Sequence, residues 1–143
     1  PRLMRLGDDM PGSVLRMEDR EVRALCGPWL RPAVEYADDV WRYRGWAGAI
    51  VSHEDGAREL IQLHGGLIGL PDGVQVEGDG PFRASVRGEK VVIETAGRAG
   101  WLLVDGVDCD RVTCDGERMP VEKLDGDRCR IFVPAGPRMV VFG

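Results

Sequence analysis

Apolar and polar residues alternate in short bursts through most of this chain, with turn-forming residues between them. Val74 to Glu77, Phe82 to Val86, Lys90 to Thr95, Trp101 to Val104, Arg111 to Cys114, Met119 to Leu124, Cys129 to Val133 and Met139 to Phe142 each run for a few residues. A period of two places one apolar set on one face of an extended segment, so each burst predicts a half-buried strand. About eight strands in the last 70 residues argue for an antiparallel sandwich or barrel. The punctuation agrees. Asp-Gly occurs six times, at Asp55, Asp72, Asp79, Asp105, Asp115 and Asp125, and this dipeptide is the strongest short hairpin signal. The last three steps fall ten residues apart, the interval of strand plus turn, and predict an up-and-down meander closed by the Pro134 to Pro137 turn.

Upstream, the pattern supports two readings. Ala49 to His64 reads as a helix with Ala57, Leu60, Ile61 and His64 on one stripe. It also reads as a hairpin turning at Asp55-Gly56, pairing Glu54 with Ala57, Val51 with Leu60 and Ile50 with Ile61. The hairpin is favoured, because Gly56 costs a helix about 1 kcal/mol relative to Ala. Met17 to Cys26 is rich in helix formers and ends at Gly27-Pro28, whereas Glu18-Asp19 suits a tight hairpin. Pro32 is placed to open a helix with Val34, Ala37, Val40 and Trp41 on one face. The expectation is a mainly β, antiparallel sandwich or meander in one domain, 1–143. Residues 1–46 form a smaller, partly helical portion and 47–143 the β-rich portion.

Composition narrows the functional classes. The 143 residues are 43% hydrophobic and 30% charged, enough for one core. No apolar stretch approaches the ~20 residues that cross a bilayer, so no membrane partner is expected. The net charge of −5 is spread over both halves, and no basic patch points to nucleic acid. Arginine outnumbers lysine 17 to 2 and asparagine is absent. The chain starts at Pro1, which leaves its compartment open. An N-terminal proline can act as a catalytic base, but Arg2 to Leu6 runs into the loop-like Gly7 to Gly12 rather than into a strand and long helix.

The candidate chemistry is sparse. His53 and His64 lie about 20 Å apart along a hairpin at ~3.3 Å per residue, too far to share an ion. Cys26, Cys109, Cys114 and Cys129 show no paired ligand spacing, so no metal is expected. With Cys129 facing Glu122 and Cys109 beyond it, the two thiols would stand about 9.5 Å apart across two strands and remain free. Asp108 and Asp110 lack the glycine and glutamate of a calcium loop. No nucleophile elbow, phosphate loop or dinucleotide fingerprint occurs, so no catalytic residue or cofactor is expected. The aromatics concentrate at Trp29, Tyr36, Trp41, Tyr43 and Trp46, with Arg42 and Arg44 interleaved. If Val40 to Arg44 is extended, Trp41 and Tyr43 share a face and the arginines the other. Trp41, Tyr43, Trp46, Arg42 and Arg44 are therefore the ligand-binding candidates, as stacking surfaces for sugar and forks for carboxylates. The competing reading places the two rings in the core.

From Phe82 onward, FRASVRGEKVVIETAGRAGWLLVDG and VTCDGERMPVEKLDGDRCRIFVPAGPRMVVFG resemble the β-sandwich domains that end many bacterial carbohydrate-active enzymes. The resemblance lies in the closing strand Ile131 to Val133, the turn Pro134-Ala135-Gly136 and the final apolar strand Met139 to Phe142. It implies a non-catalytic accessory module that packs on an adjoining catalytic domain or contacts glycan. The alternative is a structural or self-assembly module that pairs with a partner chain through exposed sheet edges.

Overall fold

The computed structural model describes residues 2–6, 12–27 and 32–143, and among them there are fifteen strands and no helix. The first four are β1 (Arg2–Arg5), β2 (Gly12–Arg16), β3 (Arg20–Cys26) and β4 (Val34–Ala37). A long central hairpin follows, β5 (Arg42–His53) and β6 (Arg58–Gly69). Then come β7 (Gln75–Glu77), β8 (Phe82–Arg87), β9 (Lys90–Thr95) and β10 (Gly100–Asp105). The last five are β11 (Val112–Cys114), β12 (Glu117–Arg118), β13 (Glu122–Lys123), β14 (Cys129–Val133) and β15 (Arg138–Phe142).

All pairings are antiparallel, and the central hairpin divides the sheet into two arms. The larger arm runs β1-β2-β3-β5-β6-β8-β9-β15-β11-β12. The smaller arm leaves the same hairpin at its other end: β4 pairs with the start of β5, and β7 with the end of β6. Beyond β7 lie β10, β14 and β13. The division falls where the β5–β6 register slips three times, between Arg44 and Gly48. Gly45 faces Gly65 there, and a Cβ on Gly65 would come within 2.7 Å of the Gly45 Cα. A glycine pair permits this close approach, and bulges of this kind bend and twist strands.

Alternation supplies the core. In the larger arm Ile50, Leu60, Ala84, Ile93 and Val140 stand in one cross-strand row, all fully buried. In the smaller arm Val76, Val104 and Cys129 do the same. Both rows belong to one hydrophobic cluster with Trp41 and Phe142. At about 25 cal/mol per Å² of apolar surface, this shared burial is the main force holding the arms together.

The predicted N-terminal helices are absent. Met17 to Cys26 is the tight turn at Glu18-Asp19 that the second reading offered, followed by β3, and it closes the hairpin with β2, Met17 N–H donating to Arg20 C=O at 2.9 Å. The segment opened by Pro32 is β4 and a turn. Helix formers yield here because β3 is paired on both edges, by β2 and by β5, and tertiary pairing outweighs propensities of a few tenths of a kcal/mol. The stop signal at Pro28, and Trp29, lie outside the described residues.

The hairpin at Asp55-Gly56 is present, but its register differs by one residue, with Ile50 opposite Leu60 and Val51 opposite Glu59. The connection is a three-residue loop in which Asp55 Oδ1 accepts from Ala57 N–H and Gly56 adopts a φ of 93°. The C-terminal meander is broken twice. β12 and β15 belong to the larger arm, β13 and β14 to the smaller, so the chain crosses between arms near Pro120 and again at Pro134. Proline cannot donate to a ladder, and both crossings fall where it interrupts one.

Candidate functional site

Two clefts open at opposite ends of β8, β9 and β10. One, of about 750 Å³, lies where β10 ends, among Asp108, Cys109, Asp110, Lys123 and Arg128. The other, of about 530 Å³, lies where β10 begins. Its walls come from His64 on β6, Asp79 to Pro81 before β8 and Phe82 that opens it, Thr95 at the end of β9, Gly97 to Ala99 in the turn that follows, and Gly100 and Trp101 at the start of β10. This second cleft combines an aromatic platform with hydrogen-bonding groups, and we take it as the candidate site.

Local physics positions each wall. The bulge that bends β6 carries His64, and the Gly65 N–H donates to Asp79 C=O at 3.3 Å, tying the bend to the β7–β8 connection. Gly80, with a φ of 80°, and Pro81, joined to it by a cis peptide bond, line the rim. On the opposite wall, Gly136 N–H donates to Gly97 C=O at 3.0 Å and holds the β9–β10 turn. Thr95 ends β9; its Oγ1 is buried and has no hydrogen-bond partner among the described residues. Asp79 and Arg98 are exposed at the mouth.

Trp101 is the most exposed aromatic of the site, at 55%. Its neighbours Leu102 and Val104 point inward, so alternation turns Trp101 outward. It stands opposite Phe132, their ring centroids 5.2 Å apart and edge to face. The Arg130 guanidinium sits 4.7 Å from the Trp101 ring centroid and also donates to Glu122 through Nε at 3.0 Å and Nη2 at 2.6 Å. Glu122, Arg130 and Phe132 thus brace a large ring at the cleft edge.

The five sequence candidates are not assembled into one site. Trp41 and Tyr43 are core residues, 0% and 2% exposed, stacked on each other at 5.2 Å, with Tyr36 against Trp41 at 6.4 Å. Burial, with Cys26 nearby, pushes the Tyr43 phenol above its usual range. Arg42 is exposed, opposite Ala37 and Gly69. Arg44 pairs with Glu77 at 3.0 Å. Trp46 packs on His64, ring centroids 4.9 Å apart, and so stands one residue behind the cleft wall. His53 pairs with Glu59 at 2.7 Å at the far end of the hairpin, away from His64.

Sequence reasoning placed Trp101 in a strand without asking which face it took. The signal was available: Leu102 and Val104 on β10, and Cys129, Ile131 and Val133 on β14, are the inward parities. Trp101 and Phe132 are left outside together. No group of three or more His, Cys, Asp or Glu among the described residues is arranged to hold a metal. No protein-family model matches the chain, and neither a curated protein nor a solved structure gives a significant match.

Proposed function

We propose that the chain is a non-catalytic β-sandwich accessory module of a larger carbohydrate-active protein, and that its Trp101 cleft contacts glycan. The observation carrying this reading is a braced, 55% exposed tryptophan at the mouth of a cleft of about 530 Å³. A flat indole matches the apolar face of a sugar ring, and Asp79, Arg98 and the unsatisfied Thr95 hydroxyl suit its ring of hydroxyls. Two antiparallel arms that share one hydrophobic cluster support the sandwich reading.

Self-assembly through sheet edges is less favoured. The edge strands β1, β4, β12 and β13 are two to four residues long and carry Arg2, Arg5, Glu35, Glu117, Arg118, Glu122 and Lys123. Short, charged edges resist pairing with another chain.

Titration calorimetry of the purified chain against neutral and acidic polysaccharides tests the proposal, with product analysis of the same samples. Binding without turnover is expected, and Trp101→Ala should weaken it at least about fivefold, since truncating an aromatic anchor costs roughly 1–3 kcal/mol. Turnover by the chain would remove the accessory reading. Binding undisturbed by Trp101→Ala would remove the cleft.

A further inference from the structure

The residues that alternate with the core row of the smaller arm form its outward face. From β13 to β5 they stand in one cross-strand line: Glu122, Arg130, Leu103, Glu77, Leu67 and Arg44. Asp105, Gln75, Gly69 and Arg42 make the next line on one side, and Trp101 with Phe132 on the other. Trp101, Leu103 and Asp105 are thus successive outward positions of β10, and at ~3.3 Å per residue they cover about 13 Å. The indole at the mouth of the cleft is also one end of this face.

A further depression, of about 130 Å³, lies on the same face, lined by Leu67, Gln75, Glu77, Leu103, Asp105 and Arg128. Gly69 shapes it. Gln75 stands directly opposite, and a Cβ on Gly69 would come within 2.9 Å of the Gln75 Cβ, so the bare backbone leaves the glutamine room to lie on the sheet. Leu67 and Leu103 supply apolar contact. Glu77 is held by Arg44, but the Gln75 amide, the Asp105 carboxylate and the Arg128 guanidinium make no side-chain hydrogen bond or ion pair with any described residue. A few free polar groups converging over apolar side chains form the lining that orients a small polar ligand. Charge narrows its class. Glu77, Asp105 and Glu122 are balanced by Arg44, Arg128 and Arg130, so the face selects for neither anions nor cations.

We propose, resting on the glycan reading of the Trp101 cleft, that the site continues from Trp101 along the outward face of β10 into this depression, and that its ligand is a neutral polysaccharide engaged through several linked sugar units rather than a single terminal one. Trp101 stacks on one ring. Further along the chain Asp105 accepts from sugar hydroxyls, Arg128 donates to them and Gln75 does both. The distance from Trp101 to Asp105, about 13 Å, exceeds the span of one ring, so the two contacts are made together only by a linked chain.

Calorimetry of the folded chain with dimers and hexamers of the cello-, manno- and xylo-oligosaccharide series, and with an acidic oligogalacturonate hexamer, is the test. In the series that binds, the hexamer should bind at least about tenfold tighter than the dimer, and added salt should leave its affinity unchanged. Gln75→Ala and Asp105→Ala should each keep the parent's Tm, weaken the hexamer about fivefold through loss of one or two hydrogen bonds, and leave the dimer as it was. Trp101→Ala should weaken both. Equal affinity for dimer and hexamer, or a length preference that survives both substitutions, would overturn the second subsite and leave the cleft standing. Binding of oligogalacturonate alone would overturn the neutral ligand. If none of these sugars binds while some polysaccharide of the wider titration does, the extension along β10 falls and the glycan reading stands; if nothing binds, both fall.

Discussion

The Arg23 guanidinium on β3 reaches Asp38, beyond β4, with Nη1 2.7 Å from Oδ2. Asp38 is a hub: Tyr36 donates its hydroxyl to the same oxygen at 2.9 Å, and the N–H groups of Val40 and Trp41 donate to Oδ1 at 2.7 and 2.9 Å. The carboxylate therefore builds the turn into β5 and fastens β4 to the larger arm. Burial pushes its pKa up, but the backbone N–H groups, the Tyr36 hydroxyl and Arg23 outweigh that and hold it below the ordinary Asp value.

With its folded value depressed, Asp38 takes up a proton more readily in the unfolded chain. Its stabilisation is full above the ordinary Asp range and is lost as pH falls below about 4, through the folded value. Asp38→Asn should cost about 2–3 kcal/mol at neutral pH, because the amide cannot satisfy four donors. The variant should also show a flatter loss of stability between about pH 5 and 2 than the parent. Urea unfolding at several pH values measures both, and parallel curves would refute the role given to Asp38.

Arg44 and Glu77 make the contrasting pair. Their side chains are 45% and 42% exposed at 3.0 Å, so water screens the attraction. Glu77→Gln should change stability by less than about 0.5 kcal/mol. A loss above about 1 kcal/mol would mean that this pair, too, fastens the small arm.

Gln62 is fully buried between Gly48 and Phe82 in its cross-strand row, and neither amide atom has a partner among the described residues. An unpaired buried amide costs about 1–3 kcal/mol. Gln62→Met, of similar length and shape, should therefore raise stability by about 1–2 kcal/mol. Gln62→Glu should lower it by more than about 2 kcal/mol by burying a charge. Urea midpoints decide, and a destabilised Met variant would show that the amide is engaged.

The strands of the last 70 residues were legible because each obeys a period of two and ends at turn chemistry: Lys90 to Thr95 and Cys129 to Val133 match β9 and β14 end to end. Register was less legible. A two-residue turn at Asp115-Gly116, with φ of 51° and 86°, joins β11 to β12, but the same dipeptide at Asp55 and at Asp125 sits in a three-residue loop, which shifts every pairing by one. The dipeptide marks a reversal without fixing its length. The arm crossings at Pro120 and Pro134 depend on where the partner strands lie, which local patterning does not encode. Trp41 and Tyr43 alternate as an exposed aromatic face would, and only the shared hydrophobic cluster, assembled from strands distant in sequence, buries them.

Two glycines separate strain from crowding. At Gly116 nothing lies within 4 Å of an added Cβ, but φ is 86°. Gly116→Ala should therefore cost about 1 kcal/mol, from backbone conformation alone. At Gly65 a Cβ would lie 2.7 Å from the Gly45 Cα and 2.8 Å from the Gln62 Oε1. Two backbones would have to separate at the bend shared by both arms, so Gly65→Ala should cost more than about 3 kcal/mol. It should also disturb His64 next to it and hence the cleft, which Gly116→Ala leaves alone. Chemical denaturation gives the two costs, and amide shifts of Asp79 to Phe82 and Thr95 to Trp101 give the second effect. Equal costs for the two variants would mean that the Gly45–Gly65 contact is not what sets the bend.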